Sequence, residues 1–171
     1  SVTVLSAHSL GAALRAAGAV CAAVDAVFAD ARRRAFCAVR PPGHHATPDT
    51  AMGFCLFNNV AIGAAHALAT QSVERVAIIG SDVHHGNGTA DIFAGEGRVL
   101  YASTHQSPLY PGSGGVRQRG VDNLVHVPLA AGSGSREFRE AFVSRILPEL
   151  DRFAPQLLLV SAGFDAHRLD P

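Results

Sequence analysis

The chain has 171 residues, 48% hydrophobic and 16% charged, with 14 basic and 14 acidic side chains and no formal net charge. That length suits one domain with a real core, and the composition excludes disorder as the dominant state. The charge balance, without a basic run, argues against direct nucleic-acid binding driven by phosphate contacts.

In chain order, Ser9 is placed to cap a helix reaching about Ala29, with Arg15 and Asp25 off its apolar stripe. The run 35–39 reads as a strand. A loop over 40–57 follows, and Asn58 or Asn59 starts a second helix to about Ala69. A strand is expected at 75–80, a short helix at 88–94 and a strand at 98–103. The loop 104–120 carries Pro108, Pro111 and four glycines. A strand at 123–129, a helix at 135–153 capped by Ser133 or Ser135, and a strand at 156–161 complete the pattern. Strands alternating with helices predict an α/β fold, with a mostly parallel sheet and helices on both faces. Irregular loops longer than 15 residues are unusual in a compact domain and are usually functional.

No apolar stretch reads as a membrane span, because Arg15, Gly18 and Asp25 break the most hydrophobic helix. No signal peptide is visible, and the chain opens at Ser1 rather than Met. Cys21, Cys37 and Cys55 lie in or beside apolar runs without paired spacing, which predicts buried thiols in a reducing, cytoplasmic compartment. The Ala- and Arg-rich composition fits a bacterial source.

Three apolar runs end in residues that bind metals or move protons. The run 76–79 leads into Asp82-Val83-His84-His85-Gly86-Asn87-Gly88-Thr89. Asp82 and His84 are two apart, so an extended backbone sends both side chains the same way. Glycines then let the chain turn off tightly. The run 35–39 leads into Arg40-Pro41-Pro42-Gly43-His44-His45, where an irregular backbone lets both rings reach one site. The run 157–160 leads into Ser161-Ala162-Gly163-Phe164-Asp165-Ala166-His167. Ligands of open parallel sheets bind at the carboxyl ends of strands, so three such ends suggest one site. Asp82, His84 and Asp165 supply three ligands and leave room for water and substrate, as in a catalytic zinc site. His44 and His45 stand as proton acceptor and donor.

These segments, with Gly53-Phe54-Cys55-Leu56-Phe57-Asn58-Asn59 and Tyr110-Pro111-Gly112, resemble the signature of zinc-dependent histone deacetylases. The chain is similar to the class II branch, including bacterial histone-deacetylase-like amidohydrolases and acetylpolyamine amidohydrolases. The resemblance implies the arginase–deacetylase fold and one Zn2+ on Asp82, His84 and Asp165. It implies His45 as general base and acid, with His44 as its electrostatic neighbour. The resemblance further implies that Phe54 and Tyr110 wall a channel for an acetylated lysine side chain or an acetylated polyamine. It also implies that Asn87 bonds the second catalytic histidine, and that Ser103 lies at a structural K+ site with the Asp82 and His84 backbone. Ser1 matches a rim position. His85 is expected off the metal, His105 is a further lining candidate, and His8, His66 and His126 are packing or surface residues. His167 is expected behind the ligands.

Two departures stand out. Gly80 replaces an Asp that family members carry two residues before the first ligand, which implies a less firmly oriented His44 and a weakened K+ site. Family members also continue past the third ligand to an oxyanion-stabilising tyrosine. The chain therefore reads as a fragment, residues 1–171, of a single catalytic domain, incomplete at both ends, with unpaired sheet edges that favour a homo-oligomer. Two alternatives remain: a catalytically impaired module that binds zinc and acyl-lysine, and a two-manganese ureohydrolase on the same fold.

Overall fold

A computed structural model describes residues 3–29, 33–115 and 122–170. The elements are α1 (Ser9–Ala29), α2 (Asn59–Thr70), β1 (Val76–Gly80), α3 (Asn87–Phe93), β2 (Val99–Gln106), β3 (Leu124–Leu129), α4 (Ser135–Ala141), a π-helical turn (Phe142–Ile146), α5 (Leu147–Phe153) and β4 (Leu157–Ser161). The strands form one sheet in the order β3-β2-β1-β4, and every pairing is parallel.

Helices cover both faces, as the alternation predicted. On one side Val24, Ala64, Ala67 and Phe93 pack on Val76, Ile78, Val99 and Tyr101. On the other, Ala141 and Ile146 pack on Ile79, Ala102 and Val127. All five residues of β1 are buried, which is why that strand is an unbroken apolar run. At the β4 edge only Leu157 and Leu159 join the core; Leu158 and Val160 are 50% and 58% exposed.

Register aligns the strand ends. Gly80 pairs with Ser103 on one side and Ser161 on the other. The Ser81 N–H then donates to the Ser161 carbonyl, and the Gln106 N–H to the Val83 carbonyl. The loops after β1, β2 and β4 therefore leave the sheet side by side.

Local expectations fail in six places. Residues 33–39 form no strand; they lie beside α1, where the Cys37 thiol meets the Ala19 carbonyl. The helix over 135–153 is interrupted by the π turn, where the Ser144 hydroxyl donates to the Glu140 carbonyl, a bond that bends helices. Its cap is Gly134, whose N–H donates to the Glu137 carboxylate at 2.9 Å. Ser9 opens α1 but its hydroxyl accepts the Ser6 N–H. Finally, α1 is long and apolar enough to cross a membrane, with 21 residues and an 18-residue stretch of mean hydropathy 1.6; two charges do not exclude it on composition. Ala13, Ala16, Ala17 and Val24 on this helix are buried. All three cysteines are free, but only Cys55 is fully buried.

Asn58 caps α2 as expected. Its side-chain oxygen accepts the Ala61 N–H, while its amide donates to the Ala46 carbonyl and the Thr89 hydroxyl. One buried amide thus ties the His44–His45 loop to α2 and α3.

Candidate metal centre

The loops that leave β1 and β4 converge, and the His44–His45 loop, which follows no strand, joins them. Donor atoms of Asp82, His84 and Asp165 all lie within 4.8 Å of one another. His84 Nδ1 is 3.1 Å from Asp82 Oδ1 and 3.0 Å from Asp165 Oδ2. Ligands at about 2.0–2.2 Å in tetrahedral array stand about 3.3 Å apart, so this spacing fits donors aimed at one ion. The backbone sets the aim. The His84 N–H donates to Asp82 Oδ1 at 2.8 Å, and the Val83 N–H donates to Asp165 Oδ1 at 3.1 Å. Burial pushes the Asp82 carboxyl above its ordinary value; the His84 N–H opposes this, and the nearby Asp165 charge adds to it. Two crowded, half-buried carboxylates are what a bound cation relieves.

His44 and His45 stand beside this cluster. Their rings lie 4.0 Å apart, and His44 Nε2 is 3.9 Å from Asp82 Oδ1. Burial, then the neighbouring His45 and His84, pushes His44 down to about 3. His45 is also lowered by burial, against a hydrogen bond to Asn87 that raises it. His45 Nδ1 and Asn87 Oδ1 are 2.8 Å apart, while the Asn87 amide nitrogen faces the His45 carbonyl and Met52 Sδ.

Tyr110 sits edge-on to His45, with ring centroids 5.1 Å apart, and 6.3 Å from His84. Phe54 is 68% exposed with a φ of 64°, and among the described residues it has no ring partner. It lines a surface cavity of about 260 Å³ with Arg40, Pro41, Pro42 and Leu56. Among the described residues no ring contact joins Phe54 to Tyr110.

Ser103 is buried, and its hydroxyl lies 3.0 Å from His105 Nδ1. Gly80 faces the Tyr101 hydroxyl and Ser103. Ser1 lies outside the described residues. His167 is exposed and its Nδ1 accepts the Leu169 N–H. His66 pairs with Asp25 on the surface.

Sequence reasoning missed a second histidine cluster. His105 does not line the metal centre; it lies behind it with His85 and His126, all three buried. The signal was available in part. Ser103 and His105 are two apart on β2 and share a side. That His126 pairs with Ser103 depends on register, which the sequence does not print.

The histone deacetylase domain family matches residues 1–171. Type-2 histone deacetylase 2 of Dictyostelium discoideum is 44% identical over 99% of this chain and 11% of its own length. The histone deacetylase-like amidohydrolase of Pseudomonas aeruginosa is 45% identical over 91% of this chain and 42% of its own. The crystal structure of acetylpolyamine aminohydrolase from Burkholderia pseudomallei superposes with a TM-score of 0.88 at 40% identity, covering 96% of this chain and 49% of that one. The chain spans less than half the length of the curated relatives it matches. Matched along its whole length by the family and sharing its fold, the chain belongs to the histone deacetylase domain family.

Proposed function

We propose that the chain carries the metal and proton-transfer machinery of a zinc-dependent deacylase. Its substrate is an N-acetyl-lysine side chain or an acetylated small amine such as a polyamine. The observation that carries this reading is the convergence of Asp82, His84 and Asp165 beside the paired rings of His44 and His45. Metal-assisted amide hydrolysis needs those side chains together. The family membership and the names of the relatives support the same reaction class.

Asp82, His84 and Asp165 would hold the zinc, and their donor spacing fits it. When bound, zinc supplies Lewis acidity, polarising an amide carbonyl and making water a nucleophile near neutral pH. The protein's own residues do the proton work. The Asn87 oxygen is an acceptor only, so His45 keeps its proton on Nδ1 and offers Nε2 as the base. An amide partner, unlike a carboxylate, adds no negative charge to stabilise the imidazolium. The captured proton is therefore readily returned to the leaving amine. His44, buried and neutral, serves as a hydrogen-bonding neighbour. Tyr110 gives the apolar stem of an acylated lysine a flat wall beside His45.

A structural potassium ion finds a thin donor set. Ser103 brings one hydroxyl, already shared with His105, and Gly80 brings no carboxylate. Potassium held there relies on backbone carbonyls.

The test is a fluorogenic acetyl-lysine assay and an acetylated-polyamine assay on the zinc-loaded chain, run beside hydroxamate binding and metal analysis. Zinc-dependent turnover abolished by His45→Ala is expected. Hydroxamate binding without turnover in any assay favours the binding-module reading, and two manganese ions per chain favour the ureohydrolase.

A further inference from the structure

The loop that carries Tyr110 is fastened from beneath by histidines that the chemistry above does not use. His85 Nδ1 lies 2.8 Å from Ser113 Oγ, and His105 Nε2 lies 3.0 Å from the Gly114 carbonyl oxygen. A carbonyl only accepts, so His105 carries its proton on Nε2, and its Nδ1 accepts the Ser103 hydroxyl at 3.0 Å. His126, on β3, meets His85 through their two Nε2 atoms at 3.3 Å, which share one proton. The His85 ring centroid is 4.7 Å from that of His105 and 4.5 Å from that of His126.

All three rings are buried, at 3%, 2% and 5% exposure for His85, His105 and His126. His105 faces a carbonyl on one nitrogen and a hydroxyl on the other, the pairing of an imidazole that both donates and accepts. Gly114 seals the arrangement. It has a φ of +84° and no room for a side chain, since a Cβ there would lie 2.5 Å from His105 Nε2 and 2.6 Å from His85 Cγ. Two anchors from two elements therefore grip adjacent residues, three and four positions after Tyr110. His85 is also the neighbour of His84, so the aromatic wall and the metal loop share a fastening.

We infer that His85 and His105 are positioning residues for the substrate wall. By locking Ser113 and Gly114 they hold Tyr110 edge-on over His45, and so set the preference for an acyl amine with a long apolar stem. This rests on the reading of Tyr110 as a channel wall.

The test uses the zinc-loaded chain and two hydroxamates. Acetohydroxamate reaches only the metal; a hydroxamate on a six-carbon chain also runs along the wall. Loss of a neutral hydrogen bond corresponds to about threefold to tenfold in affinity. His105→Leu should weaken the long hydroxamate about tenfold and Ser113→Ala about threefold, with acetohydroxamate and zinc affinity unchanged. His105→Gln, which keeps a donor near Nε2, should recover most of the loss. Amide exchange in the peptide 107–115 should quicken in His105→Leu and Ser113→Ala, a readout independent of zinc. If His105→Leu does not fold, Ser113→Ala and His105→Gln carry the test, since Ser113 is exposed. Equal weakening of both hydroxamates would overturn the inference, because the histidines would then support only the metal loop. Tyr110→Ala separates the two levels. If it leaves the long hydroxamate unaffected, the channel reading fails and this inference with it. If it weakens that ligand while Ser113→Ala and His105→Leu do not, only the positioning role fails.

Discussion

Gly163 stands two residues before Asp165, and a β-carbon there would overlap Asp82 Oδ2 and lie 2.5 Å from Asp82 Cγ. Ordinary carbon contacts need about 3.5–4.0 Å, so Gly163→Ala must displace the carboxylate or the backbone by about 1 Å. The carboxylate has little slack. Its other oxygen accepts the His84 N–H at 2.8 Å and stands 3.1 Å from His84 Nδ1. The substitution therefore takes one of the three proposed zinc donors out of position. Structural zinc sites bind with about 10–16 kcal/mol shared among four ligands, or roughly 3 kcal/mol each. One displaced carboxylate should thus weaken zinc about 100-fold. Gly163 is only half-buried, and the strain falls on a loop, so the melting temperature without metal should stay within a few degrees. The assay is competition with a chromophoric chelator, run beside a thermal melt. Folded Gly163→Ala protein that binds zinc within threefold of the parent would refute the argument that this glycine exists to admit Asp82.

Other substitutions test the surrounding structure. Burial, with His105 adding, pushes His126 down to about 4 from 6.5. The unfolded chain takes up a proton near pH 6.5 that the folded chain refuses until about 4. Acidification therefore removes up to about 1.4 kcal/mol of stability per pH unit across that window. Urea midpoints of His126→Asn should fall less steeply between pH 6.5 and 4.5; an unchanged slope would refute the buried neutral ring. Gly80→Asp puts a Cβ 3.0 Å from the Tyr101 hydroxyl and 3.4 Å from Ser103 Oγ, so overpacking should cost about 1–3 kcal/mol. That lowers the melting temperature by roughly 5 °C, and a raised melting temperature would show that the space accepts the carboxylate. Gly18 lies in the exposed middle of α1 with nothing near its Cβ position. Gly18→Ala should stabilise by about 0.5–1 kcal/mol in a denaturant titration.

Much of the fold was legible because its central elements are locally marked. The continuous apolar run Val76–Gly80 and the Asn58 cap of α2 need no long-range information to be read. The 35–39 run misled for a physical reason. An apolar run marks a candidate for burial, but here Ala35, Phe36 and Ala38 stay exposed and only the Cys37 thiol meets α1. The cap before α4 misled because Glu137 reaches back to the backbone of Gly134, making a serine hydroxyl unnecessary.

The amino-acid sequence by itself determined which chemistries were present: two carboxylates and three histidines placed just after apolar runs, with glycines that let the chain turn. It did not determine that they meet. Tertiary structure decided that through the parallel register that pairs Gly80 with Ser103 and Ser161, aligning three strand ends and bringing Asp82 to Asp165 across 83 positions of chain. The same register set His126 against Ser103 and built the buried histidine cluster under the Tyr110 loop. Strand register is fixed by side chains packing on both faces of the sheet, a property of the assembled core that no local stretch of sequence contains.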